Sequence, residues 1–92
     1  MQVNFYATLR PVVGGKTLHL AWSEGTTLRA LLETLFTDHP TLRPELLDEQ
    51  GQLHGYVHVF VNGRDGHYLE RVLETPLAPT DTVDIFPAVG GG

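Results

Sequence analysis

The residue types that ordinarily carry chemistry are scarce in this chain, and their spacing removes most of the usual reactions. There is no cysteine, so disulfides, thiolate metal sites and cysteine nucleophiles are excluded together. Any sulfur the protein handles cannot sit on a side-chain thiol. Ser23 is the single serine, and no Gly-x-Ser-x-Gly surrounds it. Gly14-Gly15-Lys16 places a lysine after glycines but lacks the rest of a phosphate-cradling loop. Of the five histidines, His54 and His58 are four apart, yet Gly55 and the alternation around them indicate a strand rather than one helix face. No third ligand cluster lies near them in sequence, and no metal site is expected.

What remains is the terminal carboxylate of Gly92. Resonance and charge make a free carboxylate a poor electrophile, so it acylates nothing until it is activated. No ATP-binding motif is present, and an outside enzyme must do the activating. Pro87-Ala88-Val89-Gly90-Gly91-Gly92 suits that role. Glycine has no Cβ to obstruct attack or widen the chain, and six extended residues reach about 20 Å, enough to thread a narrow channel. The alternative is a frayed end without function, since termini are commonly disordered.

Composition narrows the partners. Ninety-two residues make one domain with a single modest core. Eleven acids against six bases give a net charge of −5, the wrong sign for a nucleic-acid binder. Arg10, Arg29, Arg43, Arg64 and Arg71 are scattered rather than clustered. The acidic balance suits docking on a basic partner, mainly by speeding encounter. No apolar run approaches a membrane span, and the start, Met1-Gln2-Val3-Asn4-Phe5, has no basic leader or signal-type stretch, so no membrane association and a cytoplasmic location are expected.

The elements that must position the tail can be read in order. Val3, Phe5, Ala7 and Leu9 alternate with Gln2, Asn4, Tyr6 and Thr8, which predicts a half-buried strand over 2–9. Gly14-Gly15 reads as a hairpin turn before a second strand over 16–22, with Leu18, Leu20 and Trp22 on one face. Thr26-Thr27 offers an N-cap, and Leu28, Leu31, Leu32, Leu35 and Phe36 recur at helical spacing to about Asp38. His39-Pro40 stops that helix. A short second helix is expected over Thr41 to Asp48, followed by a polar loop to Gln52. Val57, Val59 and Val61 then oppose Tyr56, His58 and Phe60 in a strand over 56–61. Asn62-Gly63 is a strong turn signal, with a short strand expected near Tyr68-Leu69. Leu77 to Asp81 forms a turn into a last strand, Thr82 to Phe86.

This β-β-α-β-(β)-β order predicts an α+β fold, a mixed sheet of four to five strands with one main helix on one face. Residues 1–86 would form the domain and 87–92 a flexible tail. The uncovered face would carry Tyr6, Tyr56, His58, Phe60 and Phe86. Aromatics at outward positions on separate strands mark a docking surface, against the plainer reading that scattered surface aromatics need no explanation.

The residues as a whole resemble the ubiquitin-like (β-grasp) sulfur carriers of the ThiS/MoaD family, which includes the small subunit of molybdopterin synthase. The most specific piece is Asp84-Ile85-Phe86-Pro87-Ala88-Val89 before Gly91-Gly92. Phe5-Tyr6-Ala7-Thr8-Leu9-Arg10, the helix ending His39-Pro40, and Val57-His58-Val59-Phe60-Val61-Asn62-Gly63 support it, and the likeness covers essentially the whole chain. It implies that the protein is a carrier rather than an enzyme and binds no cofactor itself. An E1-like enzyme would consume ATP to adenylate Gly92, and a sulfur donor would replace AMP to leave a thiocarboxylate. Gly91 and Gly92 are then the activated pair, and Tyr6, Tyr56, His58, Phe60, Phe86, Pro87, Val89 and Gly90 the partner-binding set. The implied acceptor is a sulfur-accepting synthase, either the molybdopterin synthase large subunit or the cysteine synthase served by CysO-type carriers. Two other readings stay open: a protein modifier joined through Gly92 to target lysines, and a plain interaction domain whose tail is inert.

Overall fold

In the computed structural model, residues 1–21, 23–65 and 72–87 are described. The backbone runs β1 (Gln2–Phe5), α1 (Leu9–Val13), β2 (Thr17–His19), α2 (Leu28–Asp38), α3 (Leu42–Leu46), β3 (His58–Val61), β4 (Arg64–Asp65), a 3-10 turn (Val72–Glu74) and β5 (Thr82–Phe86). Five strands form one sheet in the order β2-β1-β5-β3-β4. β1 and β5 are parallel and central, while the other pairs are antiparallel. Parallel neighbours need a crossover, and here α2 and α3 lie within it, on one side of the sheet.

Period-two alternation sets which side each strand residue faces. Val3 and Phe5 of β1, Val59 and Val61 of β3, and Val83 and Ile85 of β5 are buried, at most 8 % exposed. α2 meets them with Leu28, Leu31, Leu32, Leu35 and Phe36, the stripe expected from spacing. Each such side chain contributes on the order of 1.5–3 kcal/mol when fully removed from water. Thr27 caps the helix by accepting from the Ala30 N–H, and His39 ends it. Leu42, Leu46 and Leu47 of the α3 region and Leu73 and Leu77 close the core.

Three expectations are corrected. The first strand stops at Phe5 rather than continuing to residue 9. Ala7 takes a left-handed φ of 52°, and Leu9 and Arg10 donate their N–H groups to the Tyr6 and Ala7 carbonyls. Pro11 is tolerated in α1 because its missing N–H falls in the first turn, where no intrahelical acceptor exists. Leu9 and Val13, one helical turn apart, bury the same face. Gly14-Gly15 is therefore a helix stop, not a hairpin turn: Gly14 sits at φ 79°, and both glycine N–H groups bond to the Arg10 carbonyl. The antiparallel pairing of β1 with β2 is as expected, but a helix connects them. β2 itself is shorter than 16–22, and Trp22 lies outside the described residues.

The β3–β4 hairpin follows the Asn62-Gly63 signal, with positive φ at both residues. The strand anticipated near Tyr68-Leu69 falls outside the described residues. The 3-10 turn had no counterpart in the sequence reading. Its Glu74 and the residues just after it clamp the start of α2, where Leu28 N–H bonds Thr75 O, Leu77 N–H bonds Thr26 O, and Arg29 pairs with Glu74 at 3.0 Å.

Candidate functional site

Among the described residues the helices cover one side of the sheet, and the outward residues of β1, β5 and β3 form a second, separate surface. Register places Asn4 beside Asp84, Phe60 on the other side of Asp84, and His58 beside Phe86. Tyr6, just past β1, stacks on Phe86 with ring centroids 4.1 Å apart and planes 11° from parallel. Phe60 meets Phe86 edge-on at 5.4 Å and 81°, an arrangement that sets the positive ring edge against the negative face. His58 lies 6.4 Å from Phe60. Arg10 covers the Tyr6 ring at 5.6 Å while its Nε donates to the Phe5 carbonyl. Tyr6, His58, Phe60 and Phe86 are thus one cluster, drawn from β3, β5 and the residue after β1, which the sequence separates by up to 80 positions.

Tyr6, Phe60 and Phe86 are half-buried, because the rings shield one another. Tyr56 stands apart from them. It is 53 % exposed and stacks on His54 at 4.7 Å, and His54 is tethered to the Pro44 carbonyl at 3.0 Å through Nε2. The expected patch is therefore a compact cluster of four rings and a neighbouring His54–Tyr56 pair. Pro87 follows directly after β5 and is half-buried. Val89, Gly90, Gly91 and Gly92 lie outside the described residues.

A polar line that sequence reasoning missed crosses the same face. Asp84 Oδ1 accepts from Asn4 Nδ2 at 2.8 Å and from the Tyr6 hydroxyl at 2.9 Å. Asn4 Oδ1 in turn accepts from Thr17 Oγ1 at 2.8 Å and Gln2 Nε2 at 3.0 Å. The hydrogen bond to Asp84 is the main cause that raises the Tyr6 pKa above its ordinary value of 10.0; burial and the Asp84 charge add to it, and Arg10 opposes it. The only sequence signal was that Asn4 and Asp84 are polar at outward positions. Their pairing needed the β1–β5 register, which no local pattern encodes. Among the described residues, no three His, Cys, Asp or Glu side chains gather to hold a metal ion.

Comparison with known proteins agrees with this architecture. The sequence profile of the ThiS family matches residues 3–92. Small archaeal modifier protein 3 of Haloferax volcanii is 33 % identical over 92 residues, covering all of this chain and 98 % of its own. The sulfur carrier protein CysO of Mycobacterium tuberculosis is 35 % identical, covering 98 % of this chain and 96 % of its own. Among solved structures, the Amycolatopsis orientalis BexX/CysO complex contains a chain that superposes with a TM-score of 0.81 at 29 % identity, covering 99 % of this chain and 98 % of that one.

Proposed function

The chain belongs to the ThiS family of small, ubiquitin-like sulfur carriers and modifiers, and from that premise we propose that it carries sulfur on its own C-terminus. An E1-like enzyme seats on the open sheet face and receives the tail. A carboxylate oxygen of Gly92 attacks the α-phosphorus of ATP and pyrophosphate leaves. A hydrosulfide equivalent then attacks the acyl carbon, AMP departs, and a thiocarboxylate remains. Gly91 keeps the approach to that carbon clear. ATP belongs to the activating enzyme and the carrier holds no cofactor. The loaded carrier next meets the acceptor, the molybdopterin synthase large subunit or a cysteine synthase, in the cytoplasm.

The observation that carries this reading is where β5 ends. The strand runs through the middle of the sheet and finishes at Phe86, inside the ring cluster, and Pro87 opens the tail that follows it in sequence. A partner that covers Tyr6, His58, Phe60 and Phe86 is therefore beside the point from which the tail departs. Replacing Phe60 or Phe86 by Asp is expected to weaken binding of the activating enzyme while the domain stays folded.

The test is intact mass spectrometry after incubation with ATP, the activating enzyme and a sulfur source. A mass gain of sulfur for oxygen, absent when Gly91 and Gly92 are deleted, is expected. The second reading, a modifier, is favoured by the similarity to small archaeal modifier protein 3. It predicts that Gly92 appears in isopeptide linkage to lysines of other proteins. An inert tail predicts neither product and full function without the two glycines.

A further inference from the structure

The docking face contains a charge in its middle. Asp84 sits between Asn4 on β1 and Phe60 on β3, two residues before Phe86 on the same side of β5. Its Oδ1 is held by Asn4 and Tyr6, which orients the carboxylate. Oδ2 accepts no hydrogen bond from any described residue. The ion pairs among the described residues are Arg29–Glu74 and Arg43–Glu33, both elsewhere. Arg10, the cation that lies over the cluster, donates its Nε to the Phe5 carbonyl and rests on the Tyr6 ring. Asp84 is thus an oriented, half-buried carboxylate whose second oxygen is bonded by none of the described residues.

Any partner that covers Phe60, Phe86 and Tyr6 must also cover Asp84 and strip water from Oδ2. A carboxylate desolvated without a counter-charge opposes binding strongly, whereas one met by a cation is neutral or favourable. We propose that the activating enzyme presents an arginine to Asp84 Oδ2, so that this single carboxylate sets which surfaces the aromatic face accepts. The proposal rests on the docking reading above. Arginine fits better than lysine because its planar, weakly hydrated guanidinium bonds a carboxylate while lying against aromatic rings, and rings border Asp84 on two strands. The net charge of −5 favours the same partner polarity. A second copy of this chain is a poor occupant, because face-to-face pairing would bring two Asp84 carboxylates into one dry patch.

The experiment measures the dissociation constant for the adenylating enzyme that loads the chain in the mass assay, at two salt concentrations. Wild type is compared with Asp84→Asn, Tyr6→Phe and Phe60→Asp. Asp84→Asn keeps an oxygen that accepts from Asn4 and Tyr6 but removes the charge. It is expected to weaken binding by about 10- to 100-fold and to flatten the salt dependence. Tyr6→Phe breaks one bond of the network with the ring and the Asp84 charge kept, and a smaller loss than in Asp84→Asn, with the wild-type salt dependence, is expected. Substituting the enzyme's arginines on the bound face one at a time by Glu, against Asp84→Lys, should find one position that restores binding.

Wild-type affinity and salt dependence in Asp84→Asn, with Phe60→Asp impaired, would overturn the arginine and leave the docking face intact. Unimpaired Phe60→Asp would instead remove the docking face itself. Equal losses in Tyr6→Phe and Asp84→Asn would mean that network integrity, not charge, is read. Self-association that appears in Asp84→Asn would assign the carboxylate to repelling a second copy, and would also overturn the proposal.

Discussion

The two sides of one sheet are built by opposite rules. On the helix side, Val3, Val59, Val61, Val83 and Ile85 are aliphatic, joined by Phe5 alone, and all are buried. Their side chains make no hydrogen bonds and have no directional demands, so shape and volume are what count. On the open side, Asn4, Tyr6, His58, Phe60, Asp84 and Phe86 interact through ring angles and hydrogen bonds of fixed direction. The same backbone alternation serves both. Residues one apart on β5 therefore differ in kind: Ile85 holds the domain together, while Asp84 and Phe86 have geometry suited to meeting another molecule.

The contrast can be broken most sharply at Ile85. Ile85→Ala leaves a void against α2 and is expected to cost about 2–5 kcal/mol of unfolding free energy by urea titration, whereas Phe86→Ala, on a half-exposed ring, should cost clearly less. Equal losses would mean that the ring cluster belongs to the core. Thr27→Ala removes the cap of the helix covering the buried side and is expected to cost about 1 kcal/mol without altering partner affinity.

On the open side, the Tyr6–Asp84 hydrogen bond predicts a pH signature. Because the folded-state pKa of Tyr6 lies above 10.0, its contribution to stability is complete below that pH and fades as pH rises through the folded value. Wild type should thus lose, only in that alkaline range, whatever Tm advantage it holds over Tyr6→Phe. Arg43→Ala breaks the exposed ion pair with Glu33 and the contact of the guanidinium over Phe36. It should be the smallest effect, below about 1 kcal/mol.

Much of this was legible in the residues. The spacing of Leu28, Leu31, Leu32, Leu35 and Phe36 located α2, and the alternation around Val57 to Val61 and Thr82 to Phe86 located β3 and β5, because in each case burial on one side leaves a period. α1 escaped because Val3, Phe5, Ala7 and Leu9 continue a period of two past the true strand end. The competing signal, Leu9 and Val13 one turn apart before Gly14, occupies only five residues. The 3-10 turn, at three residues, is too short to show any period. The aromatic members of the site were recognisable as outward residues. Asp84 and Asn4 were not, since a lone polar residue facing out looks the same whether it points to water or closes a network with a strand 80 positions away.

The central place of β5 has a mechanical consequence. A partner that draws the tail into a channel pulls along the axis of this strand. Its hydrogen bonds run across that axis, to β1 on one side and β3 on the other. The load therefore shears two ladders at once instead of unzipping one pair at a time. An edge strand in the same position would peel away bond by bond. A domain pulled by its end along this strand would keep its shape, which is what the proposed threading of the tail requires.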